Sequence, residues 1–173
     1  MVKVLYVCLG NICRSPLGEA TFNQLVMEKG LEQSFRADSA GTAGYHTGKF
    51  ADPRAVKVAA KHGIQLDHVV RKITPEDLDN FEHIAVMDEA NFEFIHKLYY
   101  DTKGVPPSAD KLFLIRDFDP EVRGVQNVED PYFEGDKAFE EVFQVLKRSN
   151  EKLIEHLMDK YGIEPEESSE NEA

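Results

Sequence analysis

Lys3-Val4-Leu5-Tyr6-Val7-Cys8-Leu9-Gly10-Asn11-Ile12-Cys13-Arg14-Ser15-Pro16 begins as an apolar, strand-like run and ends as a helix start. The residues from Leu9 to Cys13 separate a thiol from a guanidinium. A loop of that length can curl so that consecutive backbone N–H groups point inward at the mouth of a helix N-terminus, where the dipole favours negative charge. In that field a cysteine is held as thiolate, the form that attacks. Arg14, always charged and forked, can hold two oxygens of a phosphoryl group while Cys8 reaches its phosphorus. Gly10 and Asn11 fall where a tight loop needs unusual backbone angles, and Ser15-Pro16 read as N-cap and first helical residue. A cysteine alone is commonly a small buried apolar residue. Set between this strand and this helix start, Cys8 reads as the centre of a covalent phosphate-handling site.

Outward from that loop, strand-like runs at 2–7, 35–39, 83–87 and 111–115 alternate with helical patterns, which predicts βαβ units and a parallel sheet. The expected fold is α/β, a single three-layer domain. Its four-stranded parallel sheet is flanked by helices in the flavodoxin-like order 2-1-3-4, with the phosphate loop after the first strand. Helices are expected from Pro16 to Glu28, from the Asp52-Pro53 cap to Gly63, a shorter one opened by Thr74-Pro75, and from Glu89 to Tyr99. The last is the clearest: Phe139, Val142, Phe143, Leu146, Leu153, Ile154 and Leu157 keep three-and-four spacing between Asp136 and Gly162. Ligands of a doubly wound sheet sit at the carboxyl ends of its strands, so Cys8, Ser39 and Asp88 should gather on one rim.

A length of 173 residues suits one domain with a full core. No stretch has the length of a membrane span or the look of a signal peptide. Two cysteines do not make a secreted disulfide framework, and a thiolate nucleophile needs a reducing compartment, so the expected location is cytoplasmic. The formal net charge of -12 excludes nucleic acid as the natural partner, because a phosphate backbone demands a basic face. An anionic substrate must therefore be drawn by the local field of the loop. Residues 163–173 are acidic with almost no core-forming side chains, and read as a disordered tail after a domain spanning 1–162. The chain is expected to be a monomer or to self-associate weakly.

Cleavage of a phosphoester by a thiolate needs an acid to protonate the leaving oxygen, an aid of about 100- to 10,000-fold. Three Asp-Pro pairs offer one: Asp52, Asp119 and Asp130. Asp52 is better used as a helix cap. Asp119 competes seriously, while Asp130 is favoured because Tyr132 and Phe133 follow it and could wall a phenyl ring. No His, Cys or carboxylate motif has metal-ligand spacing, so no metal and no cofactor are expected. Cys13 reads equally as a packing residue or as a thiol that traps an oxidised Cys8 as a disulfide.

The ten residues Val7 to Pro16, with Asp130-Pro131-Tyr132, Asp38-Ser39-Ala40-Gly41, Gly63-Ile64, His68 to Arg71 and Met87-Asp88-Glu89, resemble the low-molecular-weight protein-tyrosine phosphatase family over about residues 2–160. The resemblance implies hydrolysis of phosphotyrosine in a protein substrate through a cysteinyl-phosphate, with Cys8, Arg14 and Asp130 catalytic, and it decides for Asp130 over Asp119. It also implies that Asn11 holds the loop through a network with Ser39 and His68, and that the Ser15 hydroxyl bonds the Cys8 sulfur. Tyr45, Leu9, Ile12 and Tyr132 would line the substrate pocket, and Cys13 would be the resolving thiol. Two related chemistries diverge: arsenate reductases of this fold need further downstream cysteines, which are missing here, and a related protein-arginine phosphatase carries threonine where Ile12 stands. A non-catalytic phosphate-binding module would keep the loop but has no reason to pair Cys8 with Arg14 and Asp130.

Overall fold

The apolar run quoted above forms β1 (Val2–Cys8), an inner strand of a four-stranded parallel sheet. In order the strands are β2 (Phe35–Gly41), β1, β3 (His83–Val86) and β4 (Leu112–Leu114), as expected. The computed structural model describes residues 1–124 and 126–165. Cys8 pairs with Gly41 at the carboxyl end of β1–β2, and Val7 pairs with Val86 on the other side. Strand order reverses at β1, which makes the loop after it the ligand crevice of this architecture.

Alternation along β1 divides the core into two layers. Val4, Tyr6 and Cys8 face α1 (Arg14–Glu28), α2 (Pro53–Lys61) and α5 (Asp136–Tyr161), whereas Leu5 and Val7 face α3 (Asp77–Asn80) and α4 (Glu89–Lys103). Burial on both faces explains why β1 reads as a continuous apolar run rather than an alternating one. The Tyr6 hydroxyl, buried within that run, donates to Asn150 Oδ1 on α5, and Asn150 Nδ2 donates at 3.1 Å to Gly18 O on α1. A side chain at position 18 would press on the Tyr6 ring, since a Cβ there would stand 2.6 Å from Tyr6 Cδ1. Glycine thus lets α1 lie close on the sheet.

Several expected boundaries move. β2 extends to Gly41 because its last residues pair with Cys8, and β3 stops at Val86. β4 is only three residues long, since the chain turns at Ile115 into a short 3-10 helix, Ile115–Phe118. The helix expected at Thr74-Pro75 is a single turn from Asp77, whose carboxylate accepts from Thr74 N at 2.8 Å. α4 runs past Tyr99 to Lys103 before Gly104 ends it in left-handed conformation (φ 77). Asp52 caps α2 as anticipated, accepting from Arg54 N at 2.8 Å. No helix among the described residues is long and apolar enough to cross a membrane. Most of the expected acidic tail, 166–173, lies outside the described residues.

Candidate active site

The phosphate loop keeps its shape because its carbonyls are tied outward. Cys8 O accepts from Thr42 N at 2.9 Å, Leu9 O from Ala43 N at 3.0 Å, and Ile12 O from Asp52 N at 2.8 Å. With the carbonyls occupied, the N–H groups are left for an anion at the start of α1. Gly41 makes this close approach possible: a Cβ there would lie 2.8 Å from Leu9 O. Asn11, fully buried, holds φ at 57°, the conformation that L residues rarely adopt and that asparagine tolerates best.

The side chain of Asn11 explains how that conformation is kept. Its Nδ2 donates to Ser15 Oγ at 2.8 Å and to Ser39 Oγ at 3.0 Å, while its Oδ1 accepts from Arg71 N at 3.1 Å. His68 Nε2 lies 2.7 Å from the same oxygen and must therefore carry the hydrogen. Ser15 Oγ stands 3.0 Å from Cys8 Sγ, and Asn11 N donates to that sulfur at 3.3 Å. Ser15 does not cap α1, contrary to its Ser-Pro signature. The helix begins at Arg14 with Cys13 at the cap position and no side-chain cap, because the Ser15 hydroxyl turns inward to the sulfur.

Arg14 is buried beside Cys8, with its Nη1 donating to Asp88 Oδ2 at 2.7 Å and to Val128 O at 3.1 Å. Burial works against its charge, but Cys8, Asp88 and Asp130 outweigh it and hold the guanidinium firmly protonated. Its Nη2 lies 3.8 Å from Asp130 Oδ2. Cys8, Arg14 and Asp130 thus converge on one cavity of about 240 Å³. That is smaller than the clefts of roughly 300–1,000 Å³ that take drug-sized ligands, and suits a single side chain. Leu9, Gly10, Ile12 and Cys13 line its loop side, and Tyr45, His46, Tyr132 and Phe133 its rim. Cys8 is 3% exposed at the floor, whereas Phe133 is 92% exposed at the mouth.

Asp119, the competing acid, does not line this cavity. Its side chain is sealed from solvent between Arg116 Nε at 2.9 Å and Arg148 Nε at 2.8 Å. Burial pushes its carboxyl up, but Arg148, the Glu121 N–H and Arg116 outweigh it and hold it below its ordinary value of 3.8. A depressed carboxyl stabilises the fold above the ordinary range, and that contribution is lost as pH falls through its folded value. Asp119→Ala should therefore lower the unfolding free energy by about 2–3 kcal/mol at neutral pH, somewhat less than a fully buried pair because Arg148 is partly exposed. Denaturant titration at pH 7 and at acid pH well below the ordinary carboxyl value of 3.8 measures it; a loss that does not shrink as the pH is taken down through the folded value would contradict the ionic origin.

The family profile described as low molecular weight phosphotyrosine protein phosphatase matches residues 3–162. The chain belongs to the low molecular weight phosphotyrosine protein phosphatase family. A human protein of that name is 39% identical over 153 residues, covering 88% of this chain and 94% of the human one. A crystal structure of a protein tyrosine phosphatase from Entamoeba histolytica, with Hepes in its active site, superposes with a TM-score of 0.84 at 35% identity, over 93% of this chain and 99% of that one. A Drosophila arginine phosphatase superposes with a TM-score of 0.81 at 29% identity, over 90% and 98% of the two chains. The chain is thus similar both to tyrosine phosphatases and to a phosphatase named for a different residue.

Within this low molecular weight phosphatase framework, three arrangements go beyond the sequence reading of the site, although it placed Asp88 on the rim and His68 in the network. Asp88 serves twice: its Oδ1 accepts from Asn91 N at 2.8 Å as the cap of α4, and its Oδ2 anchors Arg14. His46 sits beside Gly10 with nothing in the sequence to single it out. Glu19, Asp38 and His68 gather behind the loop with potential ligand atoms within 4.8 Å of one another, the one such grouping among the described residues. Separations of 19 and 30 positions hide it from any motif. Asp38 is already paired with Arg71 at 3.0 Å. Burial raises the Glu19 carboxyl, which shares a hydrogen bond with Asp38.

Proposed function

We propose that this chain hydrolyses phosphotyrosine in proteins, with Cys8 as nucleophile, Arg14 and the loop amides as the phosphoryl cradle, and Asp130 as general acid and then base. The observation that carries the proposal is the convergence of Cys8 Sγ, the Arg14 guanidinium and the Asp130 carboxyl on one narrow, aromatic-rimmed cavity. In the first step the Cys8 thiolate attacks phosphorus in line, Arg14 and the amides stabilise the equatorial oxygens, and the P–O bond to the aryl group breaks. Asp130 gives its proton to the departing oxygen. In the second step Asp130, now a carboxylate, takes a proton from water as that water displaces the sulfur; inorganic phosphate leaves and the thiolate returns. Neither step calls for a metal or a cofactor.

Around these three, Leu9, Gly10, Ile12, Tyr45 and Tyr132 bind the ring and phosphate, and Ser15 steadies the nucleophile. Asn11, Ser39 and His68 keep the cradle formed before substrate arrives. Cys13 is proposed as the resolving thiol. Burial, then Asp52, pushes it well up, so it rests as S–H and must give up its proton as its sulfur displaces the hydroxyl of a Cys8 sulfenic acid, yielding a disulfide and water. A thiol pair of this kind suits a reducing compartment, and a cytoplasmic, monomeric or weakly self-associating enzyme is part of the proposal.

Ile12 and the aromatic rim favour a flat aryl ester over a phosphoguanidine. Competition between phosphotyrosine, phosphoserine and phosphoarginine peptides, in the presence of chelator, tests this. Phosphotyrosine should be released at least about 100-fold faster than phosphoserine, because only the longer ring brings phosphorus to the buried sulfur without desolvating the peptide backbone. Equal rates on phosphoserine, or a preference for phosphoarginine, would overturn the assignment.

A further inference from the structure

Asp130 sits in a segment without regular structure between the 3-10 helix and α5, yet it must be held to within a fraction of an ångström of a leaving oxygen. On its amino side the backbone is fixed by Val128 N donating to Met87 O at 2.7 Å and by Arg14 gripping Val128 O. On its carboxyl side the bonds Glu134 N to Pro131 O and Tyr132 N to Asp130 Oδ1 are internal to the turn. Among the described residues, the hydrogen bonds that tie this turn to another element both come from Arg54, which donates from Nη2 to Tyr132 O at 2.9 Å and from Nη1 to Glu134 O at 3.0 Å.

Arg54 is in turn aimed by what surrounds it. Asp52 accepts from its Nε at 3.1 Å and its Nη2 at 2.9 Å, and the guanidinium lies over the Phe139 ring at 4.5 Å and the Tyr132 ring at 5.7 Å. Asp52 also donates its backbone N–H to Ile12 O of the phosphate loop. The two residues at the start of α2 therefore form a strut with the nucleophile's loop on one end and the acid's turn on the other.

We propose that Arg54 is a positioning residue for the general acid: it sets the separation between Cys8 and Asp130. The inference rests on Asp130 being the acid, as proposed above. Lysine, whose three N–H donors radiate from one nitrogen, cannot donate from separate nitrogens of a planar group to two carbonyls while laying that plane on two rings. Arg54 touches no reacting atom, so its removal should act only through the placement of Asp130.

The test is kcat/KM over a series of aryl phosphates of rising leaving-group pKa, a ratio that reports the step in which the aryl oxygen departs. Arg54→Ala should lower it about 10- to 100-fold for phenyl phosphate but less than about threefold for 4-nitrophenyl phosphate, whose oxygen leaves with little help. Arg54→Lys should fall between. Inhibition by inorganic phosphate should stay within about twofold in both, because the cradle is intact. Added to Asp130→Ala, Arg54→Ala should cost little more, since the group it places is gone. A uniform loss across all leaving groups, or losses that multiply in the double variant, would overturn the inference. Should Arg54→Ala fail to fold, the Arg54→Lys series and its combination with Asp130→Ala decide on the same criteria. If Asp130→Ala itself leaves the leaving-group dependence unchanged, the acid assignment fails; if it steepens the dependence and neither Arg54 variant does, only the inference fails.

Discussion

Cys8→Ser should remove turnover almost completely, by at least about 1,000-fold and by as much as about a millionfold, the scale seen when other covalent hydrolases lose their nucleophile. A serine hydroxyl fits the same place, 3.0 Å from Ser15 Oγ and within reach of Asn11 N, so the loop should still form and still bind phosphate. It remains protonated where a thiolate would be charged, and no general base touches it. The measurement is rapid quenching with labelled aryl phosphate: the parent chain should carry label on Cys8 and the variant none. Substantial turnover by Cys8→Ser, or label on another residue of the parent, would refute covalent catalysis at this position.

Asp130→Ala should produce the second large effect, and a selective one. For phenyl phosphate the first step should slow by about 100- to 10,000-fold, while 4-nitrophenyl phosphate loses far less there because its oxygen departs unassisted. The second step loses its base whatever the leaving group was. Steady-state kcat should then fall for every substrate as the cysteinyl-phosphate accumulates, and single-turnover mixing separates the two. Asp119→Ala is the control: it should unsettle the fold without altering leaving-group dependence, since Asp119 is locked between Arg116 and Arg148 away from the cavity. The opposite pattern would exchange the two roles.

The loop from Cys8 to Arg14 could be read from the chain because its ligands are contiguous and its hydrogen-bond donors are backbone, so the spacing together with the flanking strand and helix start points to the geometry. The parallel sheet was legible too, because short strands and capped helices alternate along the chain. What sequence conceals is the partner that arrives from afar. Asp88 looks like a helix cap and is one, which masks its hold on Arg14. Ser15 carries a capping signature that the nearby sulfur overrides. Asp119 and Asp130 are both Asp-Pro pairs in loops, which the family resemblance separates but the residues alone do not; the pairing of Asp119 with Arg116 and with Arg148, on α5, shows why that carboxylate is structural. Arg54 has no motif around it in the sequence, because its two bonds to the acid's turn go to backbone carbonyls that any residue would supply.

The dual duty of Asp88 limits how this enzyme can change. One oxygen starts α4, a role whose loss costs about 0.5–2 kcal/mol, and the other aims the arginine that grips phosphate. Serine, threonine or asparagine would each keep the helix start in most proteins. Here each would release the guanidinium from its anionic anchor, so turnover can be lost at position 88 while thermal robustness is kept, and a library selected for folding alone would fill with well-folded, sluggish variants.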